Sequence, residues 1–429
     1  MSSRAVCSKS FAVIVALTCA LAVFCTSASA ANVFSRLAFP TAEERYAPAA
    51  ATLPDGNVLI AGGDATETVK NVELFNARTE AFEKLTGPGE EMAEARAEFA
   101  AVTLPDGKVL LVGGDQEGPI LQTAELFSPQ TNTFELLKSP LTEPRDAPGI
   151  ALLHDGMVLI VDGCEEPGTC ANTAELYDPA TQTFSKIASP TTEGRYYPAA
   201  ATLPDGNVLI AGGYDKTTLK SAELFNAKTN TFEKLEGASH EMHEPREELA
   251  AVTLQDGKVL IVGGDDGGLR PATAELFNPK SNAFELVSAP LTSGREAAGV
   301  ALLQDGRVLI ADGCQAGFCE KTGEIMSVNP PSRASSTRPT RRSHYRERLN
   351  ALVEAETNST VYFQYGTSRR YRHRTRTQAI AGSTTPVAVS ALLTRLTPGK
   401  RYHYRVVIES DAGKLTGSDR TFVVPRRRR

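Results

Sequence analysis

The sequence predicts an all-β protein: a ring of six four-stranded blades, closed by an N-terminal strand and followed by a small β-sandwich. The ring is predicted because a unit of about 50 residues recurs six times, and each copy places an Asp-Gly pair between two apolar runs. The sandwich is predicted because apolar and polar residues alternate from residue 349 onwards.

The first 30 residues predict a secretory signal peptide. The charged residues Arg4 and Lys9 precede an apolar run over residues 11–24, and Ala28-Ser29-Ala30 then supplies the small residues that a signal peptidase accepts. The run of 14 residues is shorter than the roughly 20 that a membrane span needs. We expect cleavage and secretion, with no membrane span in the mature chain; an uncleaved anchor is the alternative.

Four cysteines lie outside the signal segment, in two close pairs: Cys164 with Cys170, and Cys314 with Cys319. An even number of cysteines in an exported chain predicts disulfide bonds. A zinc site is the alternative, but the two pairs lie 150 residues apart at corresponding positions of the repeats. We therefore expect two local disulfides.

Each copy of the repeated unit begins with an arginine. The six arginines, spaced 49 to 51 residues apart, are Arg45, Arg96, Arg145, Arg195, Arg246 and Arg295. After the arginine each copy has the same order of segments, with small variations. The segments are a stretch of small residues, the Asp-Gly pair, an apolar run ending in glycine, a variable loop, Ala-Glu-Leu-Phe and Thr-Phe-Glu. Since glycine adopts the positive φ of a tight hairpin turn, the unit predicts four antiparallel strands.

This unit resembles the kelch repeat. The double glycines of the family are matched by Gly62-Gly63, Gly113-Gly114, Gly212-Gly213 and Gly263-Gly264. The late tryptophan of the family is absent, and phenylalanines such as Phe82 stand in its place, while Asp162 and Asp312 replace the first glycine in copies three and six. The resemblance covers residues 31–330 and implies a six-bladed β-propeller of the galactose oxidase/kelch-like superfamily.

The ring is predicted to close through its N-terminal strand. The sixth copy has no Thr-Phe-Glu segment, whereas residues 32–37 align with residues 182–187 of the third copy. Residues 32–37 are therefore expected to complete the last blade and to cover an open strand edge. Residues 48–63 also recur unchanged as residues 198–213, which indicates duplication of a three-blade unit.

The C-terminal part predicts a second domain. Residues 331–348 have the Pro, Ser and Arg content of a linker, residues 349–425 alternate like a small β domain, and residues 426–429 form an arginine tail. The segment from Leu396 to Tyr402 resembles the fibronectin type III pattern, with Tyr402 in the position of the corner tyrosine. The resemblance implies a β-sandwich that acts as a spacer or an adhesive module.

Charge divides the chain into two parts. Residues 31–330 contain 22 Lys and Arg against 45 Asp and Glu, while residues 331–429 contain 21 against 6. Arginines in the second part suit phosphates or an anionic polymer, although a solvated basic surface is the alternative. A contact between the basic segment and the acidic propeller is a further hypothesis, and nucleic acid is not an expected partner of an exported protein.

The candidate site lies on the face that holds the second-to-third loops and the connections between blades, because the opposite face carries only tight turns. Its candidate ligand-binding residues are Tyr46, Glu98, Tyr196, Tyr197, Tyr214 and Glu248. Aromatic rings beside carboxylates suit sugars, and carboxylates also suit calcium or a basic partner. A merely solubilising role is the alternative for most of the acidic residues.

The sequence offers no catalytic residue and no metal-binding residue as a candidate. His240 and His243 lie in a loop whose counterpart in copy two has no histidine, and zinc needs three or four fixed ligands. Galactose-oxidase-like chemistry needs a tyrosine cross-linked to a cysteine, which the predicted disulfides exclude. We expect a secreted protein that binds an extracellular glycan or protein without a cofactor, and calcium is the alternative that its carboxylates leave open. The alternative is a carbohydrate-active enzyme with epimerase-like acid–base chemistry.

Overall fold

The computed structural model describes residues 33–166, 169–170, 172–287, 291–315, 318–319, 321–327, 333–343, 345–355, 359–381, 383–410 and 413–425. The predicted signal peptide, residues 1–30, and the arginine tail, residues 426–429, lie outside them. All regular elements of the described residues are β-strands. None of these residues forms a helix with the length and apolarity that crossing a membrane requires.

Six four-stranded antiparallel sheets occupy the described residues between 33 and 327. From the inner to the outer strand, the first three sheets are Ala49–Thr52, Val58–Ala61, Val72–Asn76 and Ala81–Lys84 (sheet 1), Ala100–Thr103, Val109–Val112, Ala124–Ser128 and Thr133–Leu136 (sheet 2), and Gly149–Leu152, Val158–Val161, Ala174–Asp178 and Thr183–Lys186 (sheet 3). The other three are Ala199–Thr202, Val208–Ala211, Ala222–Asn226 and Thr231–Lys234 (sheet 4), Glu247–Thr253, Val259–Asp265, Ala274–Asn278 and Ala283–Leu286 (sheet 5), and Gly299–Leu302, Val308–Ala311, Gly323–Ser327 and Val33–Arg36 (sheet 6).

The core lies between neighbouring sheets. The second strand is buried along its whole length in sheets 1 to 4 and 6, because its unbroken apolar run packs on both faces. Phenylalanine takes the position of the family's tryptophan by packing across the outer hairpin. The rings of Phe75 and Phe82 lie 5.0 Å apart in sheet 1, and the same pairing recurs in sheets 2 to 5.

The six sheets form a closed cycle. The inner strand of each sheet contacts the inner strand of the next, and the inner strand of sheet 6 contacts that of sheet 1. The Thr52 hydroxyl donates to the carbonyl of Leu302 at 2.7 Å across this last junction. The outer strand of sheet 6 is the N-terminal segment Val33–Arg36, in the register Val33 opposite Ser327. This is the pairing that the alignment of residues 32–37 predicts.

The repeat arginines are buried within their own sheets. The Arg45 guanidinium donates to the carbonyls of Gly62 and Asn71, both at 2.9 Å, and forms an ion pair with Glu73 at 2.8 Å. The corresponding ion pairs of the other sheets are Arg96–Glu125, Arg145–Glu175, Arg195–Glu223, Arg246–Glu275 and Arg295–Glu324. Because these groups are almost completely buried, they stabilise the sheets and are not available to a ligand.

Asp162 in sheet 3 holds the position of a glycine in sheet 1, and its φ is also positive, at 56°. A Cβ atom at Gly62 would lie only 2.9 Å from the Cε atom of Met92. Thr191 replaces this methionine in sheet 3, and its hydroxyl donates to Asp162 Oδ1 at 2.7 Å. The corresponding pairs are Gly212 with Met242 in sheet 4 and Asp312 with Thr41 in sheet 6. In sheets 3 and 6, where aspartate replaces the first glycine of the repeat, threonine therefore replaces the methionine that packs against this glycine in sheets 1 and 4.

Both predicted disulfides are present. Cys164 is bonded to Cys170 in the loop after the second strand of sheet 3, and Cys314 to Cys319 in the loop of sheet 6. Each bond joins two short strands that pair through the cysteines themselves. Disulfides persist in oxidising compartments, so their presence is consistent with an extracellular protein.

The C-terminal β domain, residues 333–425, has two antiparallel sheets. One sheet has the strands Arg333–Ser343, Arg346–Ala355 and Ser383–Leu393; the other has His373–Arg374, Ser359–Gly366, Arg401–Ser410 and Gly413–Thr416, with Gln378–Ile380 and Arg420–Val423 paired beside them. Leu349 and Val353 of the first sheet share a core with Phe363 and Val406 of the second. The strand Arg333–Ser343 lies in the segment whose composition indicated a linker.

Candidate functional site

The connections between sheets converge on the axis of the cycle. Two positions after each repeat arginine lies a non-glycine residue with a φ between 48° and 56°. These six residues, here called the axial collar, are Ala47, Glu98, Ala147, Tyr197, Glu248 and Ala297. Backbone hydrogen bonds link them between sheets, for example from Ala147 N to Glu98 O at 2.7 Å and from Ala297 N to Glu248 O at 2.9 Å. Such backbone strain persists only where the surrounding structure enforces it.

A cavity of about 130 Å³ opens at the collar and is here called the axial mouth. Every sheet contributes its collar residue and the residue that follows it. The following residues are Pro48, Phe99, Pro148, Pro198, Leu249 and Ala298. The mouth is therefore one site formed by all six repeats.

The position before the collar residue carries a polar side chain in every sheet except sheet 2, where it is Ala97. The Tyr196 hydroxyl lies 2.6 Å from Glu98 Oε2 and 2.8 Å from Asp146 Oδ2. A phenol has one proton, so it donates to one carboxylate and accepts a hydrogen bond from the other group when that group is protonated. The geometry therefore favours one shared proton on the Glu98–Asp146 pair.

The electrostatics of the mouth agree with this geometry. Burial, together with the negative charge of Glu98, raises the pKa of Asp146 to about 8. Burial also raises the pKa of Glu98, and it raises the pKa of Glu248 to about 8. Burial raises the pKa of Tyr196 above its ordinary value, as it does for the neighbouring tyrosines of the mouth. At neutral pH Asp146 and Glu248 therefore carry their protons, the Glu98–Asp146 pair keeps one negative charge, and the hydroxyls of the mouth donate as well as accept.

Tyrosines complete the polar surface of the mouth. The hydroxyls of Tyr46 and Tyr197 lie 3.1 Å apart, and the rings of Tyr196 and Tyr197 are 4.2 Å apart. Asp146 Oδ1 and Glu248 Oε2 are buried oxygens that have no hydrogen-bond partner among the described residues. A buried carboxyl oxygen without a hydrogen-bond donor is disfavoured when it is charged, which agrees with the raised pKa of both groups.

The structure brings together five of the six candidate residues of the sequence analysis. Glu98, Tyr197 and Glu248 line the cavity, while Tyr46 and Tyr196 join it through hydrogen bonds to Tyr197 and Glu98. Tyr214 does not line the cavity: its backbone pairs with Tyr196, and its side chain is 36% exposed beyond the mouth. A ligand bound in the mouth would therefore have to extend beyond the cavity to contact Tyr214 as well.

Sequence reasoning missed Asp146. It directly follows Arg145, which is the position that Tyr46 and Tyr196 hold in sheets 1 and 4. The two positions after the arginine read Tyr-Ala, Ala-Glu, Asp-Ala, Tyr-Tyr, Glu-Glu and Glu-Ala, whereas the arginine before them and an Ala or Gly two positions after them recur in every copy. The variation between copies at these two positions was the available signal.

The described residues contain no group of three or more His, Cys, Asp or Glu that is arranged to hold a metal ion. The Nδ1 atom of His243 lies 3.0 Å from the carboxylate of Glu275, which is the partner of Arg246. His243 therefore belongs to the ion pair of sheet 5. On the rim of the mouth, Arg270 Nε pairs with Glu296 at 2.5 Å.

The opposite end of the axis has a larger opening of about 730 Å³. Its walls come from inner strands and Asp-Gly turns of sheets 2 to 5, with aliphatic residues such as Val102, Ile150 and Leu152. The Thr202 hydroxyl there is already bonded to the carbonyl of Leu152 at 2.6 Å. Specific pockets need a few free polar groups to orient a ligand, so the mouth is the better candidate.

Comparisons with known proteins identify the repeat. The Kelch motif matches residues 96–141, 195–237 and 249–290. The solved structure of YjhT is similar, with a TM-score of 0.55 and 15% sequence identity, covering 67% of this chain and 96% of that chain. No curated protein sequence matches the chain. A likeness at this identity concerns the fold alone.

Proposed function

We propose that this kelch-repeat β-propeller is a secreted binding protein whose axial mouth recognises an extracellular glycan. One observation carries the proposal: all six connections converge on a single cavity that tyrosine hydroxyls and buried carboxyl groups surround. Rigid scaffolds commonly hold ligand-contacting residues on such connections. Because Asp146 and Glu248 are protonated at neutral pH, the mouth offers hydrogen-bond donors beside acceptors, which favours a ligand rich in hydroxyl groups.

A glycan matches the chemistry of the mouth. Its hydroxyls both donate and accept, as do the phenols of Tyr46 and Tyr197 and the carboxyl group of Glu248. Its C–H faces stack on aromatic rings. The cavity is smaller than the roughly 300–1,000 Å³ of pockets that enclose a whole drug-sized ligand. We therefore expect the mouth to hold the terminal sugar of a longer chain, with the remainder lying across the loops.

A glycan array tests the proposal. The full chain, with and without chelator, is compared with the Glu98→Gln/Tyr197→Phe variant and with His154→Ala, whose position lines the opposite opening. We expect the wild type and His154→Ala to bind the same glycans and the mouth variant to lose them. Chelator sensitivity would assign a role to calcium. If the wild type binds no glycan on the array, the result contradicts a glycan ligand and favours a protein partner instead.

A second candidate function, acid–base catalysis on a carbohydrate, is favoured by the shared proton of Glu98 and Asp146. Groups with a pKa near neutrality are suited to general acid–base work. NMR spectra of array-positive glycans incubated with the chain report any change in the sugar. Conversion that disappears in Asp146→Asn supports an enzyme, and unchanged spectra support a binding protein.

The remaining parts of the proposal concern the chain outside the mouth. We propose that residues 31–330 form six blades closed by the N-terminal strand, and that residues 349–425 are a fibronectin type III-like spacer. The hydrogen bond from Thr397 N to the Tyr402 hydroxyl at 3.2 Å supports the corner position of this tyrosine. Mass spectrometry of the secreted protein is expected to find residue 31 at its N-terminus.

A further inference from the structure

A separate cavity of about 440 Å³ lies in the C-terminal β domain. It is formed by the hairpin loop, residues 367–372, which leads from the strand Ser359–Gly366 to the strand His373–Arg374. Its lining includes Thr367, Ser368, Arg370, Arg372, His373 and Tyr402. Among the described residues, no carboxylate lines it, so its walls present cationic and hydroxyl donors.

The two arginines of the loop are free to bind a ligand. Arg370 and Arg372 are exposed, and neither guanidinium has a carboxylate partner among the described residues. Arginine pairs with carboxylate and sulfate groups through two parallel N–H donors, which gives geometric specificity as well as attraction. The excess of 21 basic over 6 acidic residues from 331 to 429 adds a long-range attraction for anions.

The loop is held in place between these arginines. The Tyr371 hydroxyl donates to Asp419 Oδ1 at 2.6 Å, and the guanidinium carbon of Arg405 lies 4.5 Å from the centre of the Tyr371 ring. Gly366 allows the loop to fold back, since a Cβ atom there would lie 3.2 Å from the nitrogen of Arg372. The anchored tyrosine fixes the residues on either side of it, so less conformational entropy is lost when they bind.

Asp419 does not neutralise the cavity. Its Oδ1 atom accepts from Tyr371, and its Oδ2 atom contacts His403 Nδ1 at 2.9 Å and Arg369 Nε at 3.3 Å. Its two oxygens are thus occupied by groups that shape the loop. The charges of Arg370 and Arg372 remain available to an incoming anion.

We propose that this cavity binds an anionic sugar unit that carries a sulfate or a carboxylate group. The arginines would pair with the anionic group, and Thr367, Ser368 and His373 would hydrogen-bond to the sugar hydroxyls. A cavity of about 440 Å³ has room for a sugar ring in addition to its charged group. The site is independent of the axial mouth and would attach the chain to an acidic polysaccharide.

Isothermal titration of the full chain tests the site with two probes, a sulfated hexasaccharide and an oligogalacturonate of the same length. The variant Arg370→Gln/Arg372→Gln is compared with Arg376→Gln/Arg395→Gln, which removes the same charge from exposed positions outside the cavity lining. We expect the first variant to raise the Kd about tenfold and the control variant to change it less than about threefold. The probe with the higher affinity identifies the anionic group.

Tyr371→Phe tests the same site without changing the charge. It removes the hydrogen bond to Asp419 and should raise the Kd about threefold while the melting temperature stays close to that of the wild type. Equal losses in the two double variants, or an unchanged Kd in Tyr371→Phe, would overturn the proposal. A single-stranded oligonucleotide that binds as tightly as the better saccharide would overturn it as well.

Discussion

The Tyr196 hydroxyl lies 2.6 Å from the carboxyl oxygen of Glu98, although the two residues belong to connections that enter sheets 4 and 2. Asp146, from the connection that enters sheet 3, lies on the other side of the same hydroxyl at 2.8 Å. One hydroxyl thus joins three successive repeats at the axis. The chemistry of the mouth and the cohesion of the propeller therefore depend on the same hydrogen bonds.

This arrangement predicts that Asp146 destabilises the protein as the pH rises. Its pKa increases from 3.8 to about 8 on folding, so its contribution to stability is complete below about pH 4 and is lost as the pH approaches 8. Asp146→Asn cannot ionise. The free energy of unfolding of Asp146→Asn minus that of the wild type should therefore increase from pH 4 to pH 8. We expect an increase of at least about 1.4 kcal/mol, the equivalent of one pKa unit. Urea denaturation at both pH values measures this, and a difference that does not change with pH contradicts it.

Removing one member of a buried ion pair should be costly. Glu73→Gln leaves the charge of Arg45 buried without its ion-pair partner, and we expect a loss of about 3–5 kcal/mol in the free energy of unfolding. Glu285→Gln is the matched control, because Glu285 is largely exposed and its nitrogen–oxygen distance to Lys258 is 3.7 Å. The control should lose less than about 1 kcal/mol in chemical denaturation. Similar losses in both variants would show that the repeat arginines do not stabilise the sheets through these pairs.

The packing of sheet 3 predicts energetic coupling between Asp162 and Thr191. Thr191→Met alone removes the hydroxyl that bonds to Asp162, and Asp162→Gly alone leaves that hydroxyl with only the more distant carbonyl oxygen of Glu193, at 3.1 Å. The double variant installs the pair that Gly62 and Met92 form in sheet 1. The loss in the free energy of unfolding of the double variant should be smaller than the sum of the losses of the two single variants. We expect the difference, the coupling energy, to be about 1 kcal/mol or more. Additive losses in a double-mutant cycle would contradict the paired arrangement.

Local patterns allowed much of the propeller to be predicted. An Asp-Gly pair between apolar runs specifies a hairpin within a few residues, and the alignment of residues 32–37 with residues 182–187 specifies the pairing of Val33 with Ser327. The contact of Asp146 with Tyr196 could not be predicted in the same way. It depends on the positive φ of the collar residues and on the distance between repeats across the axis, and neither follows from the spacing of residues.

In the C-terminal domain, amino-acid composition predicted the secondary structure less well than it did in the propeller. The Pro, Ser and Arg content of residues 331–348 indicated an irregular linker, but Arg333–Ser343 is a strand paired in the register Arg333 opposite Glu354. Strand pairing is a tertiary interaction, and it can override the local preference of a polar segment. The cavity between Arg370 and Arg372 was likewise hidden, because it depends on the anchoring of Tyr371 by Asp419.

Titration calorimetry tests the account of the mouth most directly. The glycan with the strongest array signal is titrated into the wild type, Tyr197→Phe, Glu248→Ala and the opposite-end control His154→Ala. If the mouth is the binding site, the loss of one ligand hydrogen bond should weaken affinity roughly tenfold in each mouth variant and leave the control unchanged. Equal affinity in all four proteins would contradict the account and place recognition elsewhere on the chain.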